Sequence, residues 1–207
     1  MSTNVMEAKR SVTKVRTMTQ IGLLSAIAVI LMLFEIPLPF APAFYKIDFS
    51  EVPVLLGAFT MGPLAGVAIE FIKILLNFAV NGTLTAGVGE LANFLIGVAF
   101  VVPAAVIYRR HKTRKTAVIG MICGALLMTA LGCFLNAYIL LPAYAKAFSM
   151  PIDALVGMGS AVNSSINSML TFVLFAVAPF NLLKGTLVSL VVFVIYKKVS
   201  PILKGNN

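Results

Sequence analysis

Two pairs of polar residues stand three apart inside long apolar stretches: Glu90 with Asn93, and Asn181 with Lys184. Residues at i and i+3 share one helical face, so each pair can present its groups to the same space. Asn136 contributes a third amide from a different apolar stretch. Amides donate and accept, a carboxylate accepts and an ammonium donates, a combination that matches an imide or pyrimidine-like edge. Phe44, Tyr45, Phe94, Phe134 and Tyr138 supply candidate apolar surface around them. The chemistry expected is the binding of a planar, mostly neutral, hydrogen-bonding solute. The competing use of the same groups is a network that joins helices.

Catalytic patterns are lacking. His111 is the single histidine and sits in a basic cluster, where a positive-side role is expected rather than a ligand role. There is no HExxH, no phosphate loop with its lysine, no nucleophile elbow and no metal-ligand set. Cys123 and Cys133 lie ten residues apart in one apolar segment, a helical separation of about 15 Å that excludes a disulfide between them. The expectation is a non-enzyme with no metal and no catalytic cofactor. Any ATP hydrolysis would belong to partner subunits.

The elements that must hold these residues are membrane helices. Of 207 residues, 60% are hydrophobic and 11% charged, against roughly a quarter charged in soluble domains. The mean hydropathy is +1.01. A net charge of +9 would invite a nucleic-acid reading, but apolar runs separate the basic clusters, so no nucleic-acid partner is expected. The fold class expected is an all-α integral membrane protein, one membrane-embedded substrate-binding domain over residues 1–207, with the lipid bilayer as its solvent.

Spans are expected at Met18 to Ile36, Glu51 to Met61, Leu64 to Val80, Ala86 to Tyr108, Ala117 to Leu141 and Pro179 to Tyr196. The fourth of these is about 35 Å long as a helix, enough to cross the hydrocarbon layer. Glu51 to Met61 is short for a span, yet the Gly62-Pro63 turn and the charge distribution favour two helices over one long kinked helix. The basic arm before the first span, the 109–115 cluster and the C-terminal tail hold most of the Lys and Arg and one acid, Glu7. Basic loops stay cytoplasmic, so both termini are expected inside and the chain in a cell membrane as a multi-pass protein. Asn81 to Thr85 reads as an outer Asn-Gly turn.

Pro37 to Ser50 carries three prolines, Phe44, Tyr45, Lys46 and Asp48, and is read as an outer loop that either folds back over a cavity or anchors its aromatics at the membrane interface. Pro142 to Pro151 is a second outer loop. The stretch Ile152 to about Leu174 is expected as an outer or re-entrant helical segment, with the helix break before the last span at Pro179 and the polar tract 160–168 facing protein rather than lipid. Glu70 and Lys73, at i and i+3, read as a buried neutralising pair. Gly22 and Ala26 make a small edge on the first span that allows close approach of another helix, either inside the bundle or on a partner.

KIDFSEVPVLLGAFTMGPLAG at 46–66, GELANFLIG at 89–97, LNAYILLPAY at 135–144 and APFNLLKG at 178–185 occur in this order, and through them the chain resembles the substrate-binding S components of energy-coupling factor vitamin transporters, most closely the riboflavin-specific ones. The resemblance implies six helices and a riboflavin pocket near the outer face, closed by the first loop. It implies Glu90, Asn93, Asn136, Asn181 and Lys184 as pocket or pocket-supporting residues, and Lys46 and Asp48 in the lid. It also implies a transmembrane coupling subunit and two cytoplasmic ATPases as partners. The family's alanine-x-x-x-alanine docking pattern appears here as Gly22-x-x-x-Ala26, a departure at the first position. Two other classes stay open: a gradient-driven secondary transporter that uses Glu70/Lys73 or Glu90 as its ion-coupled group, and a structural membrane subunit without a solute site.

Overall fold

The computed structural model describes residues 2–38, 42 and 45–204, with side chains from residue 14 to 203 within these ranges. Helices dominate: α1 (Ser2–Leu33), α2 (Glu51–Met61), α3 (Pro63–Asn81), α4 (Val88–Arg110), α5 (Arg114–Leu135), α6 (Leu141–Ala147), α7 (Ile152–Ser160), α8 (Met169–Phe172) and α9 (Ala178–Lys204). Among the described residues, five helical stretches are long and apolar enough to cross a membrane: Lys14–Leu33, Pro63–Asn81, Val88–Arg110, Arg114–Ala147 and Met169–Leu203. Their outer surfaces expose Phe71, Leu75, Ile122, Leu126, Leu190 and Val194, the side chains that hydrocarbon rather than water would cover.

The sixth expected helix, α2, has 11 residues, and Glu51 to Phe59 are all buried. A helix that is apolar all round belongs inside a bundle, and α2 packs against α1, α3, α4 and α9. It need not match the bilayer thickness because protein, not lipid, surrounds it. The break from α3 falls where the sequence placed it: Gly62 takes φ 115° and Pro63 opens α3, a backbone that a side chain would strain. Arg109 lies directly over Gly62.

Several expected boundaries move. α1 begins at Ser2 rather than near Met18, because the basic arm continues the helix. Within the loop expected from Pro37 to Ser50, Lys46–Ile47 pairs antiparallel with Ile36–Pro37 in a two-stranded strap, a small β element absent from the all-α expectation. The outer loop expected from Pro142 begins only after Ala147, and the helix break expected at Pro179 lies at 161–168 instead.

Both shifts have one cause. A proline inside an α-helix clashes with the carbonyl four residues earlier and lacks an N–H. Here a π turn precedes each proline by two residues, Asn136–Leu140 before Pro142 and Val173–Val177 before Pro179. The wider turn relieves the crowding, with the N–H of Leu141 bonded to the Asn136 carbonyl and that of Ala178 to Val173. The helices therefore run on through prolines that the sequence marks as ends. The polar tract 160–168 does not line a protein wall as expected; it is a mostly exposed turn that buries only Ile166. Its groups are satisfied locally: Ser160 Oγ donates to the Ile166 carbonyl, and Ser168 and Thr171 form a capping box at α8.

α4 and α5 approach closely because Gly120 and Gly124 leave no room for a Cβ against the backbone of Ala104 and Phe100. At one end of the bundle Arg16 and Gln20 donate to the Leu203 carbonyl at 3.3 and 2.6 Å. The N-terminal and C-terminal basic segments thus share that end, and Arg109 above Gly62 puts the 109–115 cluster there too. The strap and the loop from Gly82 to Gly87 lie at the other end, around a cavity.

Candidate functional site

That cavity has a volume of about 360 Å3. α4 brings Glu90 and Asn93, the π turn after α5 brings Asn136, α9 brings Asn181 and Lys184, and the strap brings Tyr45, Lys46 and Asp48. All five residues expected in the pocket line it. Met32, Ile74 and Met128 add apolar wall. Phe44 lies outside the described residues.

The polar groups are individually constrained. Asn136 donates from Nδ2 to the Gly132 carbonyl at 2.8 Å and accepts from the Tyr45 hydroxyl at 2.7 Å. Asn181 donates to the Val177 carbonyl at 2.9 Å, which fixes the amide and leaves its carbonyl oxygen and one N–H for a solute. Gly132 permits this position, since a Cβ there would stand 2.9 Å from Asn181 Nδ2. Glu90 accepts from Thr83 at 3.0 Å, tying α4 to the preceding loop.

Two anchors hold the strap beside the cavity. Tyr45 is buried, its ring 4.9 Å from Phe180 and 6.2 Å from Phe172, among Leu141, Leu155 and Ile166. Asp48 receives Lys184 Nζ at 2.8 Å and the Ser50 N–H at 2.8 Å. Burial by itself would raise the Asp48 carboxyl, but Lys184, with Lys73 behind it, holds it down to about 2. Lys46 instead pairs with Glu35 at 2.5 Å on the exposed side of the strap, a contact worth at most about 1 kcal/mol.

Sequence reasoning misjudged three aromatics. Phe134 and Tyr138 are exposed, at 56% and 71%, and their rings meet each other in a tilted contact with centroids 5.0 Å apart. Each is two residues from Asn136, about 200° round a helix, so both point away from the cavity that Asn136 faces. Phe94 turns to Phe71, 5.9 Å away, instead of lining the pocket.

Beneath the cavity lies a buried ion cluster. Lys73 Nζ sits 2.7 Å from Glu51 Oε1 and 2.8 Å from Glu70 Oε2, with all three side chains at most 2% exposed. Ser50 accepts from Lys73 at 3.3 Å. The expected Glu70/Lys73 pair is therefore a triad, and Glu51, which also lines the cavity, was missed. Its signal was there: an acid opens a short, otherwise apolar helix directly after the lid loop. Gly97 on α4 faces both carboxylates, and a Cβ there would collide with Glu70. Gly97→Ala should lower thermal stability in detergent by about 1–3 kcal/mol, although alanine normally favours a helix interior by roughly 0.5–1 kcal/mol. An unchanged melting temperature would show that the glycine is not needed for the triad.

Known proteins resemble this chain throughout. The family model for the ECF transporter, substrate-specific component, matches residues 16–196. The chain belongs to that family. Riboflavin transporter FmnP of Bacillus subtilis (strain 168) is 34% identical over 91% of this chain and 94% of its own length. Riboflavin transporter RibU of Staphylococcus aureus (strain TCH60) is 33% identical over 97% and 95%. A solved S component of a bacterial ECF transporter superposes with a TM-score of 0.71 at 32% identity, over 92% of this chain and 99% of that one. As an ECF substrate-specific component the chain is a multi-pass, all-α membrane protein and a transport subunit.

Gly22 and Ala26 are exposed on α1, and nothing lies within 4 Å of where a Gly22 Cβ would be. The small edge is thus open on the outside of the bundle rather than used within it. His111 caps the end of α4 in the exposed basic cluster, and Cys123 and Cys133 are free thiols.

Proposed function

We propose that this chain captures riboflavin as the membrane-embedded specificity subunit of an ATP-driven energy-coupling factor transporter. The observation that carries the reading is the convergence of Asn93, Asn136, Asn181 and Lys184, from three helices, on one cavity beneath an anchored strap, in a chain whose relatives are riboflavin transporters. The amides meet the hydrogen-bonding edge of the flavin, and Met32, Ile74 and Met128 meet its rings.

Six passages are proposed, with α2 as the internal one, in one domain over the whole chain with both termini cytoplasmic. The strap opens to the outside, riboflavin enters, and Tyr45 and Asp48 re-seat over it. A transmembrane coupling subunit docks on the Gly22–Ala26 edge of α1, and two cytoplasmic ATPases drive reorientation. Family membership favours this over a gradient-driven transporter. Lys73 between Glu51 and Glu70 supports a structural role for the group that the alternative would use for ion coupling.

The test is titration of the detergent-purified, flavin-free chain with riboflavin, followed by flavin fluorescence. Saturable one-to-one quenching is expected, and Asn181→Ala should weaken it roughly tenfold, the cost of about one buried hydrogen bond. A folded preparation that does not bind riboflavin would refute the assignment.

A further inference from the structure

At the basic end of the bundle a second cavity, of about 460 Å3, opens between the α4–α5 connection and the last turns of α9. Its floor is aromatic and closed: Phe59 and Tyr108 are buried, and the Tyr108 and Tyr196 hydroxyls bond to each other at 2.8 Å. One wall, Phe193 and Val194, is 48% and 69% exposed on the apolar outer surface of the Met169–Leu203 helical stretch. The rim carries Lys112, Arg114 and Lys197, all exposed. None of these three is in an ion pair with another described residue. The acids with described side chains, Glu35, Asp48, Glu51, Glu70, Glu90 and Asp153, belong to the strap, the triad, the first cavity and α7.

A site with a cationic rim, an apolar floor and a side open to lipid selects a ligand that carries both an anion and a chain. We infer that this cavity holds an anionic phospholipid, its phosphodiester at Lys112, Arg114 and Lys197 and an acyl chain along Phe193 and Val194. Arg and Lys bind phosphate oxygens through charge-assisted hydrogen bonds, and basic pockets between membrane helices suit such headgroups. Inorganic phosphate would meet only the rim. A zwitterionic lipid would fill the wall but bring a choline cation to three cations.

The experiment is native mass spectrometry of the delipidated full chain, titrated in turn with phosphatidylglycerol, with phosphatidylcholine of the same acyl chains, and with inorganic phosphate. One phosphatidylglycerol should bind saturably, and the combined Lys112→Gln, Arg114→Gln, Lys197→Gln variant should weaken it roughly tenfold or more. The control removes equal charge beside the cavity: Arg110→Gln, Lys115→Gln and Lys198→Gln, where only a small loss is expected. Riboflavin binding confirms that each variant is folded. Equal losses in both triple variants, equal binding of phosphatidylcholine, or displacement of the lipid by inorganic phosphate would each overturn the proposal.

Discussion

Lys73→Met should destabilise the protein by about 3–5 kcal/mol, because it leaves the Glu51 and Glu70 carboxylates buried without a cation. The cost of such a change is mostly the unpaired charge left behind. The same reasoning predicts a gentler effect for Glu70→Gln, which keeps the shape and leaves Lys73 with Glu51. Replacing the whole triad, Lys73→Met with Glu51→Gln and Glu70→Gln, should recover most of the loss, since an ion cluster taken out together leaves no charge stranded. Thermal unfolding in detergent, followed by circular dichroism, orders the three variants. A Lys73→Met protein as stable as the parent would show that the triad contributes nothing to the fold.

Asp48→Asn should weaken riboflavin binding by roughly a hundredfold, about 2–3 kcal/mol, while the protein stays folded. The amide oxygen can still accept the Ser50 N–H, so the local turn persists. What is lost is the counter-charge of Lys184, which at 8% exposure has little water to replace it. A free Lys184 no longer holds the strap down. The parent makes a related prediction with pH. The folded Asp48 carboxyl lies at about 2, below the ordinary value near 4. Its contribution to strap closure is therefore complete above pH ~4 and is lost as pH falls through about 2. Riboflavin titrations between pH 7 and 5 should give the same affinity from this pair, and faster flavin release should appear only in stronger acid. If Asp48→Asn binds as tightly as the parent, the strap is held by Tyr45 alone.

The two substitutions probe different layers of one arrangement. Asp48 and Lys184 connect the strap to α9, and Glu51, Lys73 and Glu70 connect α2 to α3 directly below. Ser50 joins them, its N–H on Asp48 and its hydroxyl accepting from Lys73. The strap is thereby fastened to the buried charges between α2 and α3.

Composition and spacing alone determined that this is a helical membrane protein, and they picked out Glu90, Asn93, Asn136, Asn181 and Lys184. Polar groups are expensive in an apolar span, so the few present stand out against their background. The charge distribution likewise put the basic clusters at one end and the cavity at the other. Tertiary structure decided the rest. It continued two helices through Pro142 and Pro179 by π turns, which depend on backbone geometry that residue types do not encode one by one. It turned Phe94, Phe134 and Tyr138 away from the cavity, because the facing of a side chain depends on the rotation of its helix in the bundle. It also made Glu51 a partner of Lys73: an acid at the first position of a helix is usually solvated, and only the packing of α2 inside the other helices removes its water and obliges it to find a cation.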